Sequence, residues 1–219
     1  MKRKLLALLL IASLGVSACS KSDSSSASSS DTSAATSVTE TTETTETTTT
    51  TEATTAETTA APMVAKYADF LSQYESFEVT SSSLHNGGWD DVISNTDKGE
   101  NKSPELSWAP VEGATVYVVY MIDTCGKDWM HWKSGFITEA GVPEGYAKPI
   151  DEYMGPYPNG THPYEVYVIA LKNPTEKVKG VLNTTQSNFQ KSLEYLDTDA
   201  EGNTGNIVAY GFIGGTFTN

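Results

Sequence analysis

The sequence predicts a mostly β domain with a few short helices at its periphery. The long runs Thr115–Ile122 and Tyr164–Leu171 are dominated by Val, Ile and Tyr and are apolar on both faces, as central strands covered on two sides are. Ile207–Phe217 reads as the last strand, with Gly211, Gly214 and Gly215 marking bends or close backbone approaches. Helical spacing is confined to two short stretches, so strands outnumber helices.

Each element can be justified in chain order. Met1, Lys2, Arg3 and Lys4 precede an apolar run, Leu5–Ala12, that is too short to cross a bilayer. With the small residues that follow, residues 1–18 read as a signal peptide. Val16-Ser17-Ala18-Cys19 is similar to a bacterial lipoprotein cleavage motif, which makes Cys19 a diacylglyceryl-modified, palmitate-bearing first residue. The alternative is ordinary secretory cleavage after Ala18. Residues 20–61 hold 10 Ser and 16 Thr and no aromatic residue. Such a tract buries too little apolar surface to offset the entropy of ordering it, so 19–61 is expected to be a lipidated cysteine and a disordered tether.

Residues 62–76 read as a linker with a short amphipathic helix, from the spacing of Met63, Val64, Tyr67, Phe70, Leu71 and Tyr74. The folded domain is expected over 77–219, opening with the alternating strand Phe77–Thr80. His85-Asn86-Gly87-Gly88 is a turn, and Asn101-Lys102-Ser103-Pro104 is a break before Leu106-Ser107-Trp108. A second helix is expected at Ser187–Leu196, with Ser187 and Gln190 at capping-box spacing.

Charge excludes some functions. Positions 62–219 carry 10 Lys and no Arg against 21 acidic residues, a net of −11. Counterion release from phosphates needs clustered cations, so nucleic acid is not an expected partner. The chain's two cysteines are Cys19 and Cys125, and lipid on the first leaves Cys125 as a free thiol.

Three histidines narrow the search for a site. His85 lies in the Asn-Gly-Gly turn and is expected to face solvent. His131 lies in Trp129-Met130-His131-Trp132, just past a strand ending near Asp123. His162 and Tyr164 follow a Gly/Pro-rich loop and share a face at strand spacing. Composition leaves two readings open: a shared pocket, or two histidines scattered at the core edge.

The order of the motifs resembles the phosphatidylethanolamine-binding protein, or Raf kinase inhibitor-like, family, especially its bacterial branch. Ser103-Pro104-Glu105-Leu106-Ser107-Trp108 is similar to the family's Ser-Pro-Pro-Leu-Ser-Trp segment. Met121 to Gly126 stands where the family has Asp-Pro-Asp-Ala-Pro, His131-Trp132 matches its His-Trp, and Gly155 through Tyr164 matches its Gly-Pro-Cys-Pro-Pro-x-Gly-x-His-x-Tyr loop. The resemblance implies an antiparallel Greek-key β-sandwich with a small anion pocket at one edge. It implies that Asp123, His131, His162 and Tyr164 line that pocket, with Gly155, Pro156 and Pro158 as a wall. The chain departs from the family where Thr124, Cys125, Gly126 and Lys127 replace most of its loop and Tyr157 and Asn159 replace Cys and Pro, with Cys125 and Tyr157 expected at the rim. The Tyr157 phenol is expected to narrow the pocket or cover its mouth.

The function expected is a membrane-tethered extracytoplasmic binding protein with a small phosphate- or carboxylate-type pocket. It is expected on the outer face of a bacterial cytoplasmic membrane, or on the periplasmic face where the cell has two membranes. The alternatives are a protein-interaction or peptidase-inhibitor module and, third, a hydrolase using the Asp/His/His/Tyr pocket. The expected partners are a small anionic ligand or phosphorylated headgroup and, through Cys19, the membrane. No catalytic residue, metal or cofactor is expected.

Overall fold

A computed structural model describes residues 63–219. The signal peptide, Cys19 and the Ser/Thr tract lie outside the described residues.

The chain enters through a single-turn helix, α1 (Ala68–Leu71), shorter than the periodicity of residues 63–74 suggested. Nine strands follow: β1 (Glu75–Thr80), β2 (Leu84–His85), β3 (Gly88–Trp89), β4 (Leu106–Trp108), β5 (Val116–Asp123), β6 (Trp129–Ile137), β7 (Gly141–Val142), β8 (Thr161–Leu171) and β9 (Ile207–Thr218). A 3-10 turn at Asp91–Ile93 follows β3, and helix α2 (Phe189–Tyr195) precedes β9. The β2–β3 turn places Asn86 and Gly87 at φ 50° and 78°, the left-handed pair that a two-residue hairpin requires. The start of α2 differs from the expected capping box. Its N-cap is Asn188, whose side chain accepts from the Lys191 N–H.

Seven of the strands form one hydrogen-bonded path in the order β6-β5-β8-β9-β1-β4-β7, and the β2–β3 hairpin joins it through β9. This corrects the expected antiparallel Greek-key sandwich: the sheet is mixed, curled and open. The cause is β1, which changes partner halfway. Glu75–Glu78 pairs in parallel with β9, whereas Val79 and Thr80 pair antiparallel with β4. A strand that passes from one layer to the next keeps the layers joined by backbone hydrogen bonds.

Every residue of β5 is buried, as are the last eight of β8, and their alternating side chains feed two cores. On one face Tyr117, Val119, Met121, Val166 and Val168 pack with Leu106 and Trp108 of β4 and Val142 of β7, so the sheet curls over that face. On the other, Val118, Tyr120, Ile122, Tyr167 and Ile169 pack under Leu71 of α1 and Phe189, Leu193 and Leu196 around α2. The two-sided burial follows from the absence of polar alternation in both runs.

Strand β6 was not legible from pattern because it carries an irregularity at His131. Across β5, Met121 pairs with Trp132 but Ile122 pairs with Met130, leaving His131 as the extra residue of a bulge. Met130 consequently enters the helix-covered core and Trp132 the opposite one. The extra residue breaks the two-residue period that would identify a strand.

Candidate functional site

The site lies where β5 ends, β6 begins and β8 begins. Asp123 is the last residue of β5 and pairs directly with Tyr164 of β8, so their side chains share a face. His162, two residues before Tyr164, joins that face from the strand's first turn of pleat. The bulge brings in His131, whose ring meets Tyr164 edge-on with centroids 5.1 Å apart. Bulges commonly re-aim a side chain in this way. All four sequence-derived candidates therefore meet in one place.

They line a cavity of about 240 Å³ together with Gly126, Trp129, Tyr157, Pro158 and Asn159. Asp123, only 5% exposed, is held from two sides. Its Oδ1 accepts from the Gly126 N–H at 2.8 Å, and its Oδ2 accepts from His162 Nδ1 at 2.6 Å. His131 donates from Nδ1 to the Met154 carbonyl at 2.6 Å, because a carbonyl can only accept. Both imidazoles thus spend Nδ1–H on the protein.

Burial sets the protonation of this group. Desolvation lowers the pKa of His131, opposed by the Met154 carbonyl and the Asp123 charge. Burial, reinforced by the Asp123 carboxylate, raises the Tyr164 phenol well beyond its usual range, so it stays a neutral hydroxyl. The resting pocket therefore combines a neutral phenol, an imidazole biased to neutrality and a half-hidden His162 oriented by a carboxylate.

Gly155 and Pro156 stand one layer behind the cavity. The Gly155 N–H donates to Asn101 Oδ1 at 2.7 Å, and the Pro156 carbonyl accepts from the Asn95 N–H at 2.8 Å. A Cβ on Gly155 would lie 2.1 Å from the Ile93 carbonyl oxygen, so glycine is required for the approach. These two residues pin the proline loop, and Tyr157, Pro158 and Asn159 present it to the cavity. Cys125, expected at the rim, does not line the cavity. His85 is outside the site, largely exposed and 3.3 Å from Asp90.

Sequence reasoning missed Trp129, Gly126 and Asn159 as lining residues. Their signal was adjacency to candidates already named, which composition cannot rank. It also missed Asn183, whose Oδ1 accepts from Trp129 Nε1–H at 3.2 Å and from the Tyr157 hydroxyl at 2.9 Å. Nothing in the local sequence connects Asn183 to either aromatic residue.

Among the described residues no cluster of His, Cys, Asp and Glu is placed to hold a metal ion, and no helix is long and apolar enough to cross a membrane.

Comparison with known proteins gives a match between residues 80–210 and the family model described as phosphatidylethanolamine-binding protein. No curated protein matches the chain. Among solved structures, it is similar to a putative phosphatidylethanolamine-binding protein homologue, CT736, from Chlamydia trachomatis, at 19% identity and TM-score 0.46, covering 66% of this chain and 99% of that one. It is also similar to E. coli YbcL, described as a new member of the mammalian family, at 23% identity and TM-score 0.48, covering 64% and 97%. A phosphatidylethanolamine-binding protein from Plasmodium vivax matches at 15% identity and TM-score 0.40, covering 66% and 86%.

Proposed function

We propose, from the premise that the chain belongs to the phosphatidylethanolamine-binding protein family, that it binds a small phosphate- or carboxylate-type anion in the Asp123–His131–His162–Tyr164 pocket. The family is one of small-molecule binders and inhibitors rather than catalysts, and the pocket suits that role. Tyr164 offers a neutral hydroxyl, while Asp123 faces His162 and the Gly126 N–H rather than standing bare before the ligand.

The observation that carries the reading is the shared arrangement of the two imidazoles. With Nδ1–H committed to Asp123 or Met154, a neutral ring presents a lone pair at Nε2 and would repel an anion. A protonated ring presents an N–H donor and a charge. Anion binding in this pocket is therefore coupled to proton uptake.

Calorimetric titration with inorganic phosphate tests this. Affinity should rise between about pH 7.5 and 5.5, around the ordinary histidine range. The measured heat should depend on the buffer's ionisation enthalpy. A charge-assisted hydrogen bond is worth about 1.5–3 kcal/mol, so His162→Ala should weaken binding roughly ten- to hundredfold. His131→Ala should act similarly, and Asp123→Asn less, since it orients rather than donates. Equal affinity in wild type and His162→Ala overturns the reading.

The same proposal places the domain outside the cytoplasmic membrane on a lipid at Cys19, supported by Val16-Ser17-Ala18-Cys19 behind a short apolar run. Mass spectrometry of membrane-extracted protein should find a diacylglyceryl thioether on Cys19. An unmodified or disulfide-bonded Cys19 in the mature protein removes the anchor.

A further inference from the structure

We infer that Asn183 is the positioning residue that sets the width of the pocket mouth, clamping the lining rings of Trp129 and Tyr157 together and so restricting the site to small anions.

Three segments distant in sequence converge here. Trp129 opens β6, Tyr157 projects from the proline loop, and Asn183 lies in the stretch before α2. One side-chain oxygen of Asn183 accepts from both rings, Trp129 Nε1–H at 3.2 Å and Tyr157 O–H at 2.9 Å. Both rings line the cavity, and Asn183 does not. The Asn183 backbone is itself fixed: its N–H donates to the Met130 carbonyl at 2.8 Å, and the Met130 N–H donates to the Thr184 carbonyl at 3.0 Å. Asn183 sits at φ 57°, a left-handed conformation that Asn and Gly adopt more readily than other residues.

The clamp has a consequence for both aromatic walls. Tyr157 is 42% exposed, and its hydroxyl bond to Asn183 fixes the outer end of the ring. The oriented ring approaches His131 with centroids 6.0 Å apart, over the imidazole expected to contact the anion. The bulged segment, which carries both Trp129 and His131, is tied to the same asparagine. A cavity of about 240 Å³ corresponds to roughly eight waters at ~30 Å³ each. That is room for a phosphate with a short substituent, and a bulky substituent must leave past the clamped rings at the mouth.

This rests on the anion-binding reading for its selectivity arm but not for its geometric arm. The full-length protein would be compared with Asn183→Gly, which keeps the backbone conformation, and with Tyr157→Phe, which removes one clamping hydroxyl. Inorganic phosphate and 1-naphthyl phosphate serve as probes, with vesicles containing a phospholipid as a separate arm. Wild type should prefer inorganic phosphate, and both variants should narrow that preference by about tenfold, the equivalent of one lost hydrogen bond. Both variants should bind the vesicles at least as strongly as wild type; weaker binding by both would mean that the clamp builds the site rather than narrowing it, and overturns the inference.

Acrylamide quenching supplies the geometric arm. Trp89, Trp108 and Trp132 are buried, so quenching reports mainly Trp129. Both variants should quench faster than wild type. Unchanged quenching in both variants, or an unchanged phosphate-to-naphthyl preference, overturns the inference. If wild type binds no phosphate, the anion reading fails and the clamp is judged on quenching alone. Should Asn183→Gly not fold, Tyr157→Phe carries both arms.

Discussion

Tyr164 and Glu165 are neighbours in the chain, both buried, and they point to opposite faces of β8 with opposite fates. On one face Tyr164 joins Asp123, His131 and His162 around a cavity. On the other, Glu165 is enclosed by the segment preceding α1. Its carboxylate accepts from the Lys66 main-chain N–H, 3.2 Å from each oxygen, and from the Tyr167 hydroxyl. Beside it Asp128 accepts from Lys66 Nζ at 2.7 Å and from the Tyr67 hydroxyl at 2.6 Å. Asp123 and Glu165 are 5% and 4% exposed, so burial does not distinguish the two carboxylates. Surroundings do. The Glu165 cluster closes on itself, whereas the Asp123 cluster opens on a cavity. A buried polar network closed on all sides rigidifies a fold, and one that borders a cavity can receive a ligand.

The largest expected effect tests whether the two faces are separate in function. Glu165→Ala strands the Lys66 N–H and the Tyr167 hydroxyl, at a cost of about 2–4 kcal/mol. At roughly 2–4 °C per kcal/mol for a domain of this size, thermal melting should fall by about 5–15 °C. Phosphate affinity at a temperature where the variant is folded should stay within about twofold. His162→Ala should show the reverse pattern. Equal loss of affinity in both variants would break the comparison.

The entry segment provides the next test. A chain beginning at Pro62 should melt as the longer protein does, because a Ser/Thr tract without aromatic residues has little to pack. A chain beginning at Ala68 loses Lys66 and Tyr67, and with them charge-assisted bonds worth about 1.5–3 kcal/mol. Similar melting of the two shortened chains would mean that the segment merely lies on Glu165 and Asp128.

The two faces should also differ in the sign of their pH response. The His131 pKa is lowered by desolvation, so the unfolded chain binds more protons as pH falls through about 6.5, and His131 makes the domain less stable below that pH. The Glu165 pKa is raised by desolvation, so the folded chain binds more protons between the unfolded carboxylate value and the folded one. Its contribution grows as pH falls through that window. Each group can contribute a slope of at most about 1.4 kcal/mol per pH unit. Urea unfolding from pH 7.5 to 4 should flatten near pH 6 in His131→Gln and near the carboxylate range in Glu165→Gln. A single substitution that flattened both regions would show coupling through β8.

The smallest effect belongs to His85. Its contact with Asp90 is exposed on both sides, so His85→Ala should change stability by about 0.5 kcal/mol or less. Phosphate affinity should not move. A shift beyond that in calorimetry would place the β2–β3 hairpin in the site.

How much of this was legible follows from how each piece is encoded. Val116–Asp123 and Tyr164–Leu171 are strands because unbroken β-branched and aromatic runs suit a pleat buried on both faces, whereas along Ile207–Thr218 buried residues largely alternate with more exposed ones. The Asn86-Gly87 turn was readable because positive φ restricts residue choice. Asp123, His131, His162 and Tyr164 were readable as a group from the order of their motifs, and His162 and Tyr164 also from strand period.

Strand β6 was not readable, and the reason is the site itself. The extra residue that aims His131 at Tyr164 also shifts Met130 and Trp132 onto opposite faces, which erases alternation at the point where the strand begins.

The sequence by itself determined the buried strands, the hairpin and the candidate side chains, because backbone preference and side-chain period act over a few residues. Tertiary structure alone decided that β1 would pass from β9 to β4 and leave the sheet open. It decided as well that Lys66 would close over Glu165, and that Asn183 would meet Trp129 and Tyr157 across separations of 54 and 26 residues. Those contacts depend on which distant segments share a surface once two cores have packed, and no local pattern carries that information.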